Sequence, residues 1–191
     1  MQKPTYVPRA LRAYLRQGGV IAYATRAVFG LGCDPSSVRG LRRLLAIKRR
    51  PVHKGMIVIA DRSERLARFH APLAPAQKAR CESRWPGSHT WLVPSAPRVP
   101  LLLLGRHRQP GQARRIALRV DAHPDAVNLC RRLEMALVST SANRAGRRPI
   151  RTTRECLRQF GKRVRVIPGR VVPHCRPSTI SDLLTERILR T

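Results

Sequence analysis

The five residues Met56-Ile57-Val58-Ile59-Ala60 carry no polar side chain, and Lys54-Gly55 and Asp61 close them off at either end. A strand with one wet face alternates apolar and polar residues, so an unbroken apolar run this short is the pattern of a strand buried on both faces. Such a strand needs helices on both sides of its sheet. The rest of the chain offers them, because strand-like and helical patterns alternate along it, and the expected fold class is α/β. Closely spaced β segments near the C-terminus add the expectation that some pairing is antiparallel.

Residues 8–17 set Leu11, Tyr14 and Leu15 at helical spacing between an opening proline and the stop Gly18-Gly19. Residues 20–23 read as a strand, and residues 25–32 as a loop whose Gly30 and Gly32 permit close backbone approach. Ser36 or Ser37 caps a helix that carries Val38, Leu41, Leu44, Leu45 and Ile47 on one face. Its basic residues gather toward the C-terminal end, where the dipole favours them. Asp61 or Ser63 opens a helix through Phe69, and residues 75–84 form a weaker one. Trp85-Pro86-Gly87 is a turn before the strand at 90–93. Residues 106–115 read as a basic loop, 116–120 as a strand, and 123–134 as a helix feeding a strand that ends at Ser139. A second basic loop follows Gly146, then the capping box Thr152-Thr153-Arg154-Glu155 starts a helix to Phe160. Residues 164–167, 171–172 and 178–180 are short β segments.

A chain of 191 residues without an internal linker is expected to form one domain over 1–191. Lys and Arg number 39 against 10 Asp and Glu, a net charge of +29 and a pI near 11.9. Such a field attracts polyanions, RNA or DNA first, although an arginine-rich solvated surface gives the same figure. The five cysteines are dispersed and never form C-x-x-C, which indicates neither a disulfide framework nor a zinc site and fits a reducing cytoplasm. Leu101-Leu102-Leu103-Leu104 is far too short for a membrane span, and the N-terminus lacks a signal-peptide core.

Two polar clusters carry the chemistry. Lys48-Arg49-Arg50-Pro51 with Lys54 puts cations at a helix end, and Ser139-Thr140-Ser141-Ala142-Asn143 puts hydroxyls and an amide at a strand end, where open α/β sheets bind ligands. Lys48, Arg50 and Lys54 suit the charge that develops on phosphate oxygens under attack, and a guanidinium can fork onto two of them. Taken singly, the first cluster also fits a solvated helix end and the second a polar turn. The chain has no G-x-x-x-x-G-K-[ST] loop, no G-x-G-x-x-G and no G-x-S-x-G, and its scarce carboxylates argue against a two-metal cage.

These segments resemble the YrdC family of threonylcarbamoyl-AMP synthases, in particular its short bacterial branch. Residues 23–32, Tyr-Ala-Thr-Arg-Ala-Val-Phe-Gly-Leu-Gly, are similar to the family's Y-P-T-E-[TA]-[VY]-[YF]-G-L-G; Lys48, Arg50, Pro51 and Lys54 match K-x-R-P-x-x-K; Ser139, Ser141, Ala142, Asn143 and Gly146 match S-x-S-A-N-x-x-G. Trp85-Pro86-Gly87 with Thr90 resembles W-P-G-P-x-T, and Arg119 and the segment 177–183 complete the set. The resemblance implies a single-domain, YrdC-like twisted mixed sheet with helices around a large basic cleft. It implies a reaction that joins L-threonine, bicarbonate and ATP into threonylcarbamoyl-AMP and pyrophosphate, for modification of tRNA beside the anticodon. By position it assigns catalysis to Lys48 and Arg50, and substrate binding to Thr25, Lys54 and Ser178. Nucleotide binding falls to Lys48, Arg50, Arg119, Ser139, Ser141 and Asn143. It implies no resident metal and no tightly bound cofactor, with Mg2+ arriving on ATP, and as partners tRNA or double-stranded RNA and the proteins of the tRNA threonylcarbamoyl-transfer complex. Three residues depart from the pattern. Ala24 stands for Pro, Arg26 for Glu beside the expected threonine pocket, and Ser88 for Pro. A second class of function stays open on the same fold: a non-catalytic protein that binds double-stranded RNA or tRNA through its charge.

Overall fold

Alternation along the strands sends successive side chains into two separate apolar layers, one on each face of a single sheet. The computed structural model describes residues 8–105, 113–143, 148–172, 175 and 177–190. Its strands are β1 (Ile21–Ala24), β2 (Phe29–Gly32), β3 (Ile57–Ala60), β4 (His89–Pro94), β5 (Arg115–Val120), β6 (Leu137–Ser141), β7 (Arg165–Val166), β8 (Thr179–Asp182) and β9 (Ile188–Arg190). They form one sheet in the order β7-β1-β2-β6-β3-β5-β4-β8-β9. The β1/β7, β3/β5 and β4/β8 pairs are parallel and the other five antiparallel, so the sheet is mixed.

The larger layer takes Ala22 and Ala24 of β1, Phe29 and Leu31 of β2, and Val58 and Ala60 of β3, and it packs them on helix α2 (Val38–Lys48) and helix α6 (Thr153–Phe160). The opposite layer takes Ile21, Tyr23, Ile59 and Leu137, and it packs them on α1 (Pro8–Arg16) through Leu11 and Leu15. Ala126, Leu129, Cys130 and Leu133 of α5 (Pro124–Leu133) complete that layer. Each fully buried leucine here contributes roughly 1.5–3 kcal/mol from removed apolar surface. Val58, Ile59 and Ala60 are therefore buried between the two layers, as the unbroken apolar run predicts, while Ile57 at the start of the strand is only half-buried.

Helix starts follow the local chemistry. Ser37 accepts from the Gly40 amide at 3.1 Å and caps α2. Thr152 and Glu155 exchange the two bonds of a capping box at the start of α6. Elsewhere the structure departs from the expected elements. Residues 29–32 are a strand, paired antiparallel with β1 from Ala24↔Phe29 to Ile21↔Gly32, and only the tight turn between them is loop. Residues 63–69 form two 3-10 turns, because Asp61 holds the Arg65 side chain at 2.6 Å instead of capping a longer helix. Ser139, Thr140 and Ser141 lie within β6, and residues 171–172 are not in a strand. Residues 75–82 form α3, Leu101–Leu104 forms the short α4, and the Trp85-Pro86 peptide is cis. The basic stretches at 106–112 and 144–147, with Gly146, lie outside the described residues.

Candidate active site

Helices α1 and α5 cover only part of their face of the sheet, and the remainder is the floor of a cleft of about 1000 Å³. The register runs one row across that floor: Ser139 beside Ile57, Ile57 beside Ala117, Ala117 beside Leu92 and Leu92 beside Asp182. Every member of the row lines the cleft. Arg119, two residues on in β5, follows on the same face.

The rim is built by turns. The β1–β2 turn brings Thr25, whose hydroxyl and amide both donate to the Val28 carbonyl, at 2.6 and 3.1 Å. Gly30 and Gly32 leave that face of β2 bare, so the Tyr23 ring lies across the strand and its hydroxyl donates to the Val138 carbonyl of β6 at 3.2 Å. Burial holds the Tyr23 hydroxyl well above the usual phenol range, while its hydrogen bond with the Ser139 side chain works against that shift.

At the end of α2, Arg49 adopts the left-handed conformation (φ 51°), and the Arg49 and Arg50 amides return to the carbonyls of Ala46 and Leu45. This reversal sends Lys48 and Arg50 to different places. Arg50 donates to the carbonyls of Gly55 (3.0 and 3.3 Å) and Lys54 (3.3 Å) and lines the cleft beside Lys54. Lys48, only 3% exposed, turns to the end of β6. Its ammonium donates to the main-chain oxygens of Ser141 and Asn143, the latter at 2.8 Å, and to Asn143 Oδ1 at 3.3 Å. Burial first, and the charge of Arg50 second, pull the Lys48 pKa down to about 8. Arg50 is likewise held below the ordinary arginine range by burial.

Thr25, Arg50, Lys54, Arg119, Ser139, Ser141 and Ser178 thus share one cleft, whereas Lys48 and Asn143 are not among its lining residues and meet each other behind it. Ser141 Oγ donates to Asn143 Oδ1 at 2.6 Å, so the cleft wall and the buried lysine are joined through one turn.

Sequence reading missed the contribution of the C-terminal hairpin. Arg190 of β9 donates to the Ser178 carbonyl at 2.8 and 3.3 Å and to its hydroxyl at 3.1 Å, and Thr90 donates to the same hydroxyl at 3.1 Å. Desolvation, then the nearby Arg119 and Arg50, hold the Arg190 pKa below its ordinary value although the side chain faces the open cleft. The only sequence signal was the apolar pair Ile188-Leu189, too short to mark a strand.

Among the described residues seven cations line the cleft: Arg26, Arg50, Lys54, Arg115, Arg119, Arg187 and Arg190. The two carboxylates among its described lining residues are taken, Asp182 by Arg115 and Asp121 by Arg119 at 2.5 and 2.9 Å. Five cations are left without a carboxylate among the described residues. A concave surface with hydroxyls and surplus guanidinium groups recognises a ligand carrying several anionic oxygens. Among the described residues no cluster of His, Cys, Asp and Glu could hold a metal ion, all five cysteines are free, and no helix is long and apolar enough to cross a membrane.

This mixed sheet with an uncovered, arginine-lined half-face defines a class, and the chain belongs to the Sua5/YciO/YrdC family: residues 13–191 match the family model, described as telomere recombination. Within that family it is similar to threonylcarbamoyl-AMP synthases. The relative from Methylobacillus flagellatus is 56% identical over 95% of this chain and 98% of its own length, and that from Thiobacillus denitrificans is 50% identical over 94% and 93%. Among solved structures, P. abyssi Sua5 complexed with L-threonine superposes with a TM-score of 0.82 at 26% identity over 96% of this chain. The chain spans about half (53%) of that protein. E. coli YciO shares the fold with a TM-score of 0.77 at 24% identity, over 98% of this chain and 91% of its own.

Proposed function

We propose that this chain is a threonylcarbamoyl-AMP synthase that forms threonylcarbamoyl-AMP and pyrophosphate from L-threonine, bicarbonate and ATP, to supply tRNA modification in the cytoplasm. The observation that carries the reading is the cleft itself, five cations without a carboxylate partner among the described residues in one cleft with the hydroxyls of Thr25, Ser139, Ser141 and Ser178, in a chain half identical to synthases along nearly its whole length. The threonine amine and bicarbonate combine to a carbamate with loss of water. A carbamate oxygen then attacks the α-phosphorus of ATP and pyrophosphate leaves. No covalent enzyme intermediate is needed, so catalysis is alignment of two anions that repel each other, together with stabilisation of the charge on the phosphorus oxygens. Arg50, Lys54, Arg119 and Arg190 take the phosphates, whose Mg2+ arrives with the nucleotide. Thr25 and Ser178 take threonine; Ser139, Ser141 and Asn143 fix the nucleotide. Lys48 joins through its longest contact, the 3.3 Å bond to Asn143 Oδ1, which a phosphate or carbamate oxygen exchanges most readily.

The test is incubation of the purified chain with ATP, bicarbonate and labelled L-threonine, with Lys48→Ala alongside, and chromatography of pyrophosphate and adenylate. Product that requires threonine, bicarbonate and Lys48 is expected; absence of product from folded protein overturns the reading. The net charge of +29 favours a second role in the same chain, binding tRNA or double-stranded RNA by its phosphates, and with it delivery to the proteins that transfer the group. An affinity for tRNA that is insensitive to salt would exclude that mode.

A further inference from the structure

Arg26 and Ser88, two of the three positions at which the chain departs from the family's motifs, touch each other. Arg26 Nη1 donates to Ser88 Oγ at 2.8 Å across 62 residues of sequence, and both residues line the cleft. The contact joins two fixed supports. The Arg26 carbonyl accepts from the Val172 amide at 2.8 Å, and the Ser88 carbonyl accepts from the Thr179 amide at 3.2 Å, beside Ser178. The guanidinium therefore extends from the β1–β2 turn, next to Thr25, toward the wall that carries Ser178. A proline at position 88 offers no hydroxyl to hold it, and a glutamate at position 26 carries the opposite charge.

A guanidinium has five N–H donors in a rigid fork, and Ser88 takes one of them. Arg26 forms no ion pair with a described carboxylate, and Asp121 and Asp182, the carboxylates among the described lining residues, are engaged by other arginines. Its free edge suits a planar anion. In the proposed reaction the threonine nitrogen is carboxylated by bicarbonate and the new carbamate is adenylated, while the α-carboxylate stays unchanged from substrate to product. It is the one group of the amino acid that a fixed cation can hold throughout.

We propose that Arg26 is a specificity residue that reads the α-carboxylate of the amino-acid substrate, with Ser88 as its positioning residue; this rests on the synthase reading. The test compares L-threonine with L-threoninamide, whose carboxylate is replaced by a neutral amide, on wild type, Arg26→Ala, Arg26→Lys and Ser88→Ala. Pyrophosphate release gives kcat and KM, and calorimetry gives binding without turnover. Wild type is expected to prefer threonine by roughly 100-fold or more, as sites built for a polar group reject its isostere. Arg26→Ala should raise KM for threonine about tenfold or more, leave KM for ATP within about twofold, and shrink the preference to a few-fold. Arg26→Lys should fall between, since an ammonium lacks the fork, and Ser88→Ala should raise KM for threonine a few-fold. Unchanged preference and KM in Arg26→Ala overturn the inference, as does a wild type that binds both compounds equally or neither. A wild type that prefers threonine in calorimetry yet makes no adenylate overturns the synthase reading alone.

Discussion

The Tyr23 hydroxyl reaches the Val138 carbonyl, 3.2 Å away on β6, by passing over β2, and it can do so because Gly32 has no side chain. A Cβ on Gly32 would stand 2.3 Å from the Val138 oxygen and 2.9 Å from Tyr23 Cε1. The first of these atoms is backbone in the middle of the sheet and cannot step aside. Gly32→Ala should cost about 3 kcal/mol by overpacking, which lowers the melting temperature of a chain this size by roughly 10 °C. Gly30→Ala is the control, because its Cβ would meet side-chain atoms alone, the Thr25 methyl at 3.0 Å and Tyr23 Cζ and Ser139 Oγ at 3.6 and 3.7 Å. Thermal unfolding of the two variants checks the ordering; a Gly32→Ala protein that melts like wild type removes the steric account.

Lys48 is lodged where its charge is costly. Its pKa falls to about 8 from the ordinary 10.5, chiefly through burial and then through Arg50. The folded chain holds this proton less tightly than the unfolded chain, so between these two pH values the unfolded state binds more protons and stability rises with pH. Below about pH 8 both states keep the proton, and above the unfolded value neither does. Relative to Lys48→Met, wild type should gain up to about 3 kcal/mol of unfolding free energy across that window. Urea midpoints of the two proteins at a series of pH values measure it. A constant difference would mean that the three oxygens around Nζ offset the burial.

Much of this was legible in the sequence. The apolar run in β3, the Ser37 cap and the Thr152 capping box depend on neighbours a few residues away, so local chemistry determines them. The motif positions in β5, β6 and the α2 end also fell into or beside one cleft. What escaped was set at long range. Phe29–Gly32 reads as loop because its two glycines look like punctuation, yet they are strand positions cleared for the Tyr23 ring. The Lys48 direction depends on a left-handed Arg49, a conformation that sequence does not announce for arginine. Ile188–Arg190 is a strand only because β8 lies beside it, and Arg26 meets Ser88 only because the sheet brings their turns together.

Arg190 tests whether the C-terminal hairpin belongs to the site. Its side chain sits on the exposed last strand, so Arg190→Ala should leave the melting temperature within about 2 °C of wild type. A charge-assisted bond to a phosphate contributes about 1.5–3 kcal/mol, and its loss should raise KM for ATP by roughly 10- to 100-fold. Arg190→Lys should recover part of this and not all, since the fork onto Ser178 and phosphate is gone. Steady-state pyrophosphate release checks both. Unaltered KM for ATP in Arg190→Ala would confine the residue to holding Ser178.

Arg119 and Asp121 form the most enclosed ion pair of the cleft, 9% and 5% exposed, with Nε and Nη2 both on Asp121 Oδ2. The other carboxylate oxygen accepts from the His123 amide at 2.9 Å and so ties the pair to the start of α5. Removing one partner leaves a buried charge without its counterion, which costs about 3–5 kcal/mol, whereas removing both is far milder. Arg119→Ala should therefore be strongly destabilised, and Arg119→Ala with Asp121→Ala should recover much of that loss. Activity should not recover with it. If Arg119 serves the nucleotide as well as Asp121, the double variant regains stability while KM for ATP stays raised. A double-mutant cycle read in both urea unfolding and pyrophosphate release separates the two contributions. Recovery of both would make Arg119 a structural residue, and recovery of stability alone assigns it to the substrate.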